Sequence, residues 1–159
     1  MMRFSDLAQA RAAARADNLR ERTVCYVTRS RREVLVFEHT EEYPDAGVQV
    51  PGGGVEAVET PAQGAVREVF EEAGLIPVSA PVYLASRAQV FEVRCQMNHY
   101  YWLEAPDRTP DAWEHFAEGQ YIFRHRFAPL EHSGLDWGMD AELPTLLDLI
   151  AATAQECVA

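Results

Sequence analysis

The segment Thr60 to Gly74, "TPAQGAVREVFEEAG", constrains this chain more than any other stretch, because both ends of a helix are written into it. Thr60 is an N-cap, Pro61 takes the first helical position, and Gln63 can reach back to the N-cap amide, which makes a capping box. Gly74 stands where a left-handed residue ends a helix. The punctuation predicts a helix of about 13 residues, Thr60 to Ala73. With Glu68 at the origin and about 100° per residue, Glu71 falls at about 300° and Glu72 at about 40°. The carboxylates of Glu68, Glu71 and Glu72 therefore share one face. Ala62, Ala65, Val66, Val69, Phe70 and Ala73 fall on the other side and read as a stripe buried on a sheet. Gly64 lies on the carboxylate face, one turn before Glu68, and leaves room for a group to approach.

Like charges gathered on one helix face cost free energy unless something neutralises them. A solvated acidic face would mix in lysine, and this helix has no lysine and only Arg67 as a cation. Oxygen donors without histidine or cysteine suit Mg2+ or Mn2+, hard ions that keep waters and complete their shell with substrate phosphates. Gly52, Gly53 and Gly54 come just before. They form either a tight turn or a loop whose amides face a phosphate, and beside a carboxylate metal site the second reading becomes coherent.

The bulk properties bound the answer. The chain has 159 residues, about one domain's worth, and is read as a single domain over 1–159. Its net charge of −11 argues against long nucleic acid or anionic membrane as partners, since both require a basic surface. A small phosphate ligand remains compatible if a divalent cation supplies the positive charge. Cys25, Cys95 and Cys157 are far apart and odd in number, so no disulfide framework is expected and the reducing cytoplasm is the expected location. No apolar run approaches the ~18 residues of a membrane span. The Ala- and Arg-rich start carries Asp6, Asp17 and Glu21, unlike an acid-poor transit peptide. Residues 1–20 are read as an edge extension carrying an amphipathic helix from Phe4 to about Asn18. That helix either covers the site or builds a homodimer.

Along the chain, "TVCYVT" and "EVLVFEH" read as a hairpin split by "RSRR", and "VQV" as a short strand leading into the glycines. "PVYLASR", "QVFEVRC" and "HYYWLEA" read as three strands. "PDRTPDAWEHFAEG" reads as a long polar loop, "QYIFRHRFAPL" as a strand, and "MDAELPTLLDLIAATAQEC" as a closing helix that Pro144 starts or kinks. This order predicts an α/β (α+β) domain with a mixed sheet.

Gly53, five residues, Glu59, seven residues, then Arg67-Glu68-Val69-Phe70-Glu71-Glu72-Ala73-Gly74-Leu75 resembles the complete Nudix box, with every fixed position matched. At ~7% usage per residue type, such a match arises by chance at about one starting point in 10⁸. The resemblance implies an α/β/α sandwich and an enzyme that cleaves the pyrophosphate of a nucleoside diphosphate linked to another moiety, using Mg2+ or Mn2+. It implies that Glu68, Glu71 and Glu72 are the metal ligands and that Arg67 holds a box glutamate. Glu59 would help the metal shell or the substrate, and Gly53 and Gly74 would be backbone devices. Many members carry a further glutamate late in the chain that deprotonates the attacking water. Here that implies Glu118 first and Glu114 second, within "TPDAWEHFAEGQY", where His115 either contacts the substrate or is an ordinary loop residue.

The resemblance also has a departure. Members often carry a basic residue near the end of the second strand, where this chain reads Phe37-Glu38-His39. Arg29, Arg87, Arg94, Arg124 and Arg126 are the available replacements. The downstream marks of subfamilies that act on ADP-ribose, dinucleoside polyphosphates, NADH or coenzyme A are missing. The expected substrate is therefore a nucleoside triphosphate or a related small nucleotide, with Tyr100, Tyr101, Trp102, Trp113 and Phe116 as stacking or core aromatics. Two other classes stand beside this one. One is a non-catalytic nucleotide-sensing module on the same fold, which the intact glutamates oppose. The other is an interaction domain whose acidic face binds a basic partner.

Overall fold

The run Thr23–Thr28 is buried at every residue, the pattern of a strand covered on both faces. It lies in β2 (Arg20–Arg29), the centre of the molecule. The computed structural model describes residues 2–90, 95–117 and 119–158. The other strands are β1 (Arg3–Phe4), β3 (Glu33–His39), β4 (Gly52–Gly54), β5 (Val82–Val90), β6 (Cys95–Glu104), β7 (Ala112–Ala117) and β8 (Tyr121–Pro129). The helices are α1 (Leu7–Ala16), α2 (Pro61–Ala73) and α3 (Leu143–Val158). The sheet is mixed and eight-stranded in the order β1-β5-β6-β2-β3-β8-β7, with β4 added beside β2. β2 and β6 pair in parallel over Arg20–Thr28 and Gln96–Glu104.

Alternation along the strands assigns the helices to faces. Cys25, Val27, Leu35, Tyr101 and Leu103 point to one face and bury Ala65, Val69 and Ala73 of α2. Val24, Tyr26, Val34, Val36, Tyr100 and Trp102 point to the other and pack Leu143 and Leu146 of α3. α1 lies on the first face over β5 and β6, its Ala10 and Ala14 against Met97. The result is the expected α/β/α sandwich.

The site depends on how β4 is held. β2 and β3 pair only at Thr28–Val34 and Arg29–Glu33, then splay apart. Residues 49–54 fill the gap: Gln49 bridges Phe37, and Gly52–Gly54 pair antiparallel with Arg22–Val24. The three glycines are thus a strand rather than a turn, and "VQV" contributes one bridge instead of a strand. The reason is steric. A Cβ on Gly52 would sit 2.3 Å from the Thr23 carbonyl oxygen, and one on Gly53 would sit 2.3 Å from Oε1 of Glu68. Only a strand without side chains fits between β2 and α2.

Other expectations are corrected too. The N-terminal helix starts at Leu7, capped by Asp6 accepting from the Gln9 amide, because Arg3 and Phe4 are already paired with Arg87 and Ser86 of β5. The three strands expected between Pro81 and Ala105 are two long ones, β5 and β6, paired from Val82–Trp102 to Val90–Cys95. The polar loop after Pro106 contains β7, paired with β8 from Ala112–Arg126 to Ala117–Tyr121. Pro144 lies in the first turn of α3, where its missing N–H costs nothing. No described helix is long and apolar enough to cross a membrane.

Candidate active site

The capping box of α2 forms as its sequence requires: the Gln63 amide donates to Thr60 Oγ1, and the Thr60 amide donates to the Gln63 side chain. Gly74 ends the helix at φ 70°. The buried arc, however, is rotated towards the glutamates. Val66 and Phe70 are exposed, while Glu68 and Glu72 are 6% and 4% exposed. Pro61, Gly64, Ala65, Val69 and Ala73 complete the buried set. The glycine strand causes this rotation, because it offers the carboxylates a surface with no side chains of its own.

Arg67 organises the acidic cluster. Its guanidinium donates to both oxygens of Glu59, to Glu68 Oε1 at 2.8 Å, to Glu71 Oε2 at 3.2 Å and to the Gly54 carbonyl at 2.9 Å. One planar fork therefore ties the helix to β4 and to the loop carrying Glu59. The Gly52 amide donates to Glu72 Oε1 at 3.2 Å. Burial pushes the Glu68 carboxyl up, and the bond from Arg67 opposes it. Glu59 is held below the usual carboxylate range by its bonds to Arg67.

These contacts test the metal expectation. Two buried carboxylates one turn apart, hard oxygen donors and a backbone strand in contact suit Mg2+ or Mn2+. No group of three or more His, Cys, Asp or Glu among the described residues is already gathered as a metal cage. The reason is visible: Arg67 holds Glu68 and Glu71, and Glu71, about half exposed, leans towards the guanidinium. The donors fit the ion, with Arg67 providing the neutralising charge in this arrangement.

The end of α2 is held from β7 and β8. His115 Nε2 donates to the Glu71 carbonyl at 3.0 Å, His125 Nε2 to the Glu72 carbonyl at 2.7 Å, and Trp113 Nε1 to the Ala73 carbonyl at 3.0 Å. His125 is buried, stacked on Trp113 and against Phe37, and burial lowers its pKa to about 4. With the proton on Nε2, its buried Nδ1 has no hydrogen-bond partner among the described residues.

The structure brings together Arg67, Glu68, Glu71, Glu72, Gly52, Gly53, Gly54 and Glu59. It does not bring Glu114 there: that side chain pairs with Arg124 at 3.2 Å, on the face of β7 opposite Trp113 and His115. Glu118 and Arg94 lie outside the described residues. His115 is a strand residue rather than a loop residue. Tyr100, Tyr101 and Trp102 are core, whereas Phe116 is exposed. His125 was not anticipated. Its signal was the alternation Phe123-His125-Phe127, which puts the histidine on the same face as two aromatic residues.

Comparisons with known proteins bear on the family and the fold. A family model described as NUDIX domain matches residues 18–146. The bovine diphosphoinositol polyphosphate phosphohydrolase 3-beta is 45% identical over 60 residues, which cover 37% of this chain and 36% of that protein. The human 3-alpha protein is 43% identical over the same length. This chain thus spans about a third of the length of the curated relatives it matches. Among solved structures, a MutT NUDIX hydrolase from Burkholderia pseudomallei aligns with a TM-score of 0.63 at 16% identity, over 79% of this chain and 96% of its own. The Bacillus subtilis pyrophosphohydrolase BsRppH aligns with a TM-score of 0.60 at 20% identity, over 84% of this chain and 82% of its own. At those identities the likeness shows the fold.

Proposed function

This chain belongs to the Nudix family, and from that premise we propose that it is a divalent-metal-dependent pyrophosphohydrolase acting on a nucleoside triphosphate or a related small nucleotide. The observation that carries this reading is the burial of Glu68 and Glu72 against a glycine strand, braced by Arg67. Burying two carboxylates side by side is unfavourable unless positive charge offsets it; Arg67 does so beside Glu68 here, and a divalent ion takes that part in the proposed enzyme.

Glu68 and Glu72, with Glu71 exchanging Arg67 for the ion, are the proposed ligands for Mg2+ or Mn2+. When bound, the ion supplies charge neutralisation for the phosphate oxygens. Arg67 keeps the carboxylates in place through its bonds to Glu59, Glu68 and Gly54. Gly52, Gly53 and Gly54 form the strand that walls the proposed phosphate site, and the missing side chain of Gly53 makes room for the Glu68 carboxylate. A carboxylate takes the proton of the attacking water, water oxygen bonds to phosphorus, and one P–O–P bond breaks to release two phosphate-bearing products. We assign that carboxylate to Glu118 on its place in the sequence. Its free thiols, Cys25 buried and Cys95 exposed, suit a cytoplasmic setting.

A second reading has one observation behind it. The curated relatives are named for diphosphoinositol polyphosphates. Charge favours the nucleotide. A crowded polyphosphate needs many available cations, but this chain contains no lysine and has a net charge of −11. Arg29, Arg67, Arg124 and Arg126 each already face a carboxylate.

The test is hydrolysis of a panel of canonical and oxidised nucleoside triphosphates, nucleotide sugars, ADP-ribose, dinucleoside polyphosphates and a diphosphoinositol polyphosphate. It is run with and without Mg2+, for wild type, Glu72→Gln and Glu118→Gln, with products separated by chromatography. Metal-dependent turnover of a nucleotide, lost by at least about 100-fold in Glu72→Gln, is expected. Turnover of the inositol substrate alone would favour the second reading. Metal binding with no turnover of anything would point to a sensing module.

A further inference from the structure

The last four carbonyls of an α-helix have no partner within the helix. In α2 these belong to Phe70, Glu71, Glu72 and Ala73, so the Glu71-Glu72 pair sits in the turn that would fray first. Phe70 is satisfied by the Gly74 amide at 2.9 Å, the ordinary C-terminal device. The other three are not left to water. Each accepts one N–H from an aromatic ring, and the rings belong to adjacent strands of the same hairpin: His115 on Glu71, His125 on Glu72 and Trp113 on Ala73.

Two of these rings, Trp113 and His125, also support one another. Trp113 and His125 are paired residues across β7 and β8, their rings stacked with centroids 5.0 Å apart. Trp113 packs further on Phe127, and His125 on Phe37 of β3. The donors are therefore fixed to the sheet and cannot follow a moving helix end. Glu72 stays in register with Gly52, whose own place is fixed by pairing with Val24. One sheet thus positions both walls of the acidic site.

We propose that Trp113, His115 and His125 are positioning residues of the metal centre, setting the carboxylates of Glu71 and Glu72 by clamping the carbonyls of the last turn of α2. This rests on the reading of those glutamates as metal ligands. Partners that orient a ligand without touching the ion are worth about 10–100-fold in metal affinity.

The experiment measures Mn2+ binding to the protein without substrate, by electron paramagnetic resonance of the free ion, far below the unfolding transition. The variants are Trp113→Phe combined with His115→Ala, His125→Phe, and His125→Gln, whose amide can restore a donor at the same reach. Leu146→Ala, fully buried on the α3 side, serves as a variant destabilised without touching the clamp. Binding about tenfold weaker in the double variant and in His125→Phe is expected, with His125→Gln recovering to within about threefold and Leu146→Ala unchanged. Equal affinity in the double variant and wild type, or the same loss in Leu146→Ala, would overturn the proposal alone. If His125→Phe does not fold, the double variant decides, because its two side chains are only partly buried. A wild type that binds no Mn2+ would overturn the metal-ligand reading, and this proposal with it.

Discussion

At the scale of single residues, Gly53 does most to define the acidic site. Its absent side chain is the space that the Glu68 carboxylate occupies, since a Cβ there would stand 2.3 Å from Oε1 and 2.5 Å from Cδ. Glu68 has little freedom to retreat, being buried and bonded to Arg67. Gly53→Ala is therefore expected to displace that carboxylate, weakening Mn2+ binding by about 10–100-fold while circular dichroism stays native-like. Unchanged Mn2+ affinity would show that Glu68 is not a ligand. Gly64 is a milder case. Its Cβ would approach Glu59 Oε1 at 2.9 Å, and Glu59 already forms an ion pair with Arg67. These close approaches explain why glycine stands at both positions. They also show what the motif could not: these glycines make room for this protein's own carboxylates.

At the scale of elements, α2 and β7 teach opposite lessons. The start of α2 is local chemistry. Thr60, Pro61 and Gln63 satisfy the first amides whatever the rest of the chain does, and the helix forms where those residues place it. Thr60→Ala should cost about 1 kcal/mol in urea unfolding, with activity per folded molecule unchanged. A loss well beyond 2 kcal/mol would mean that the cap also anchors the Glu56–Glu59 loop. Which face α2 buries is not local. Periodicity alone placed Val66 and Phe70 inside, whereas packing on β4 turned Glu68 and Glu72 inward instead. β7 escaped detection because its inward residues are Trp113, His115 and Ala117 and its outward ones include Phe116, so no apolar alternation shows. It is a strand because β8 supplies the hydrogen bonds and α2 supplies acceptors for its rings.

At the scale of the whole molecule, ionisable groups link the layers and give stability a pH signature. Glu142, fully buried, joins Arg3 of β1, Arg87 of β5 and Thr145 of α3. Burial by itself would raise its pKa, but the bonds from Arg3, Thr145 and Arg87 hold it at about 2. Its contribution is complete above the usual carboxylate value and is lost as pH falls through about 2. His125 acts at higher pH. Burial lowers its pKa from 6.5 to about 4, so between those values the unfolded chain takes up a proton that the folded chain refuses. Stability should therefore fall as pH drops across that window, by about 3 kcal/mol at most from this residue. Burial shifts His99 in the same direction, with Glu21 opposing. Urea unfolding of wild type and His125→Gln at several pH values checks this, and identical slopes would remove His125 from the account.

The sequence by itself determined the α2 helix and its caps, the identity and spacing of the acidic residues, and an α/β domain with a mixed sheet. Each rests on interactions within a few residues or on repeating burial patterns, which a linear chain carries openly. The tertiary structure alone decided that the glycines form a strand, that two of the three glutamates are buried, that Arg67 bonds Glu59, Glu68 and Glu71 together, and that rings from β7 and β8 hold the end of α2. Those facts depend on contacts between segments distant in sequence, such as the 53 residues from Glu72 to His125. No local pattern records which distant donor will meet a given carbonyl.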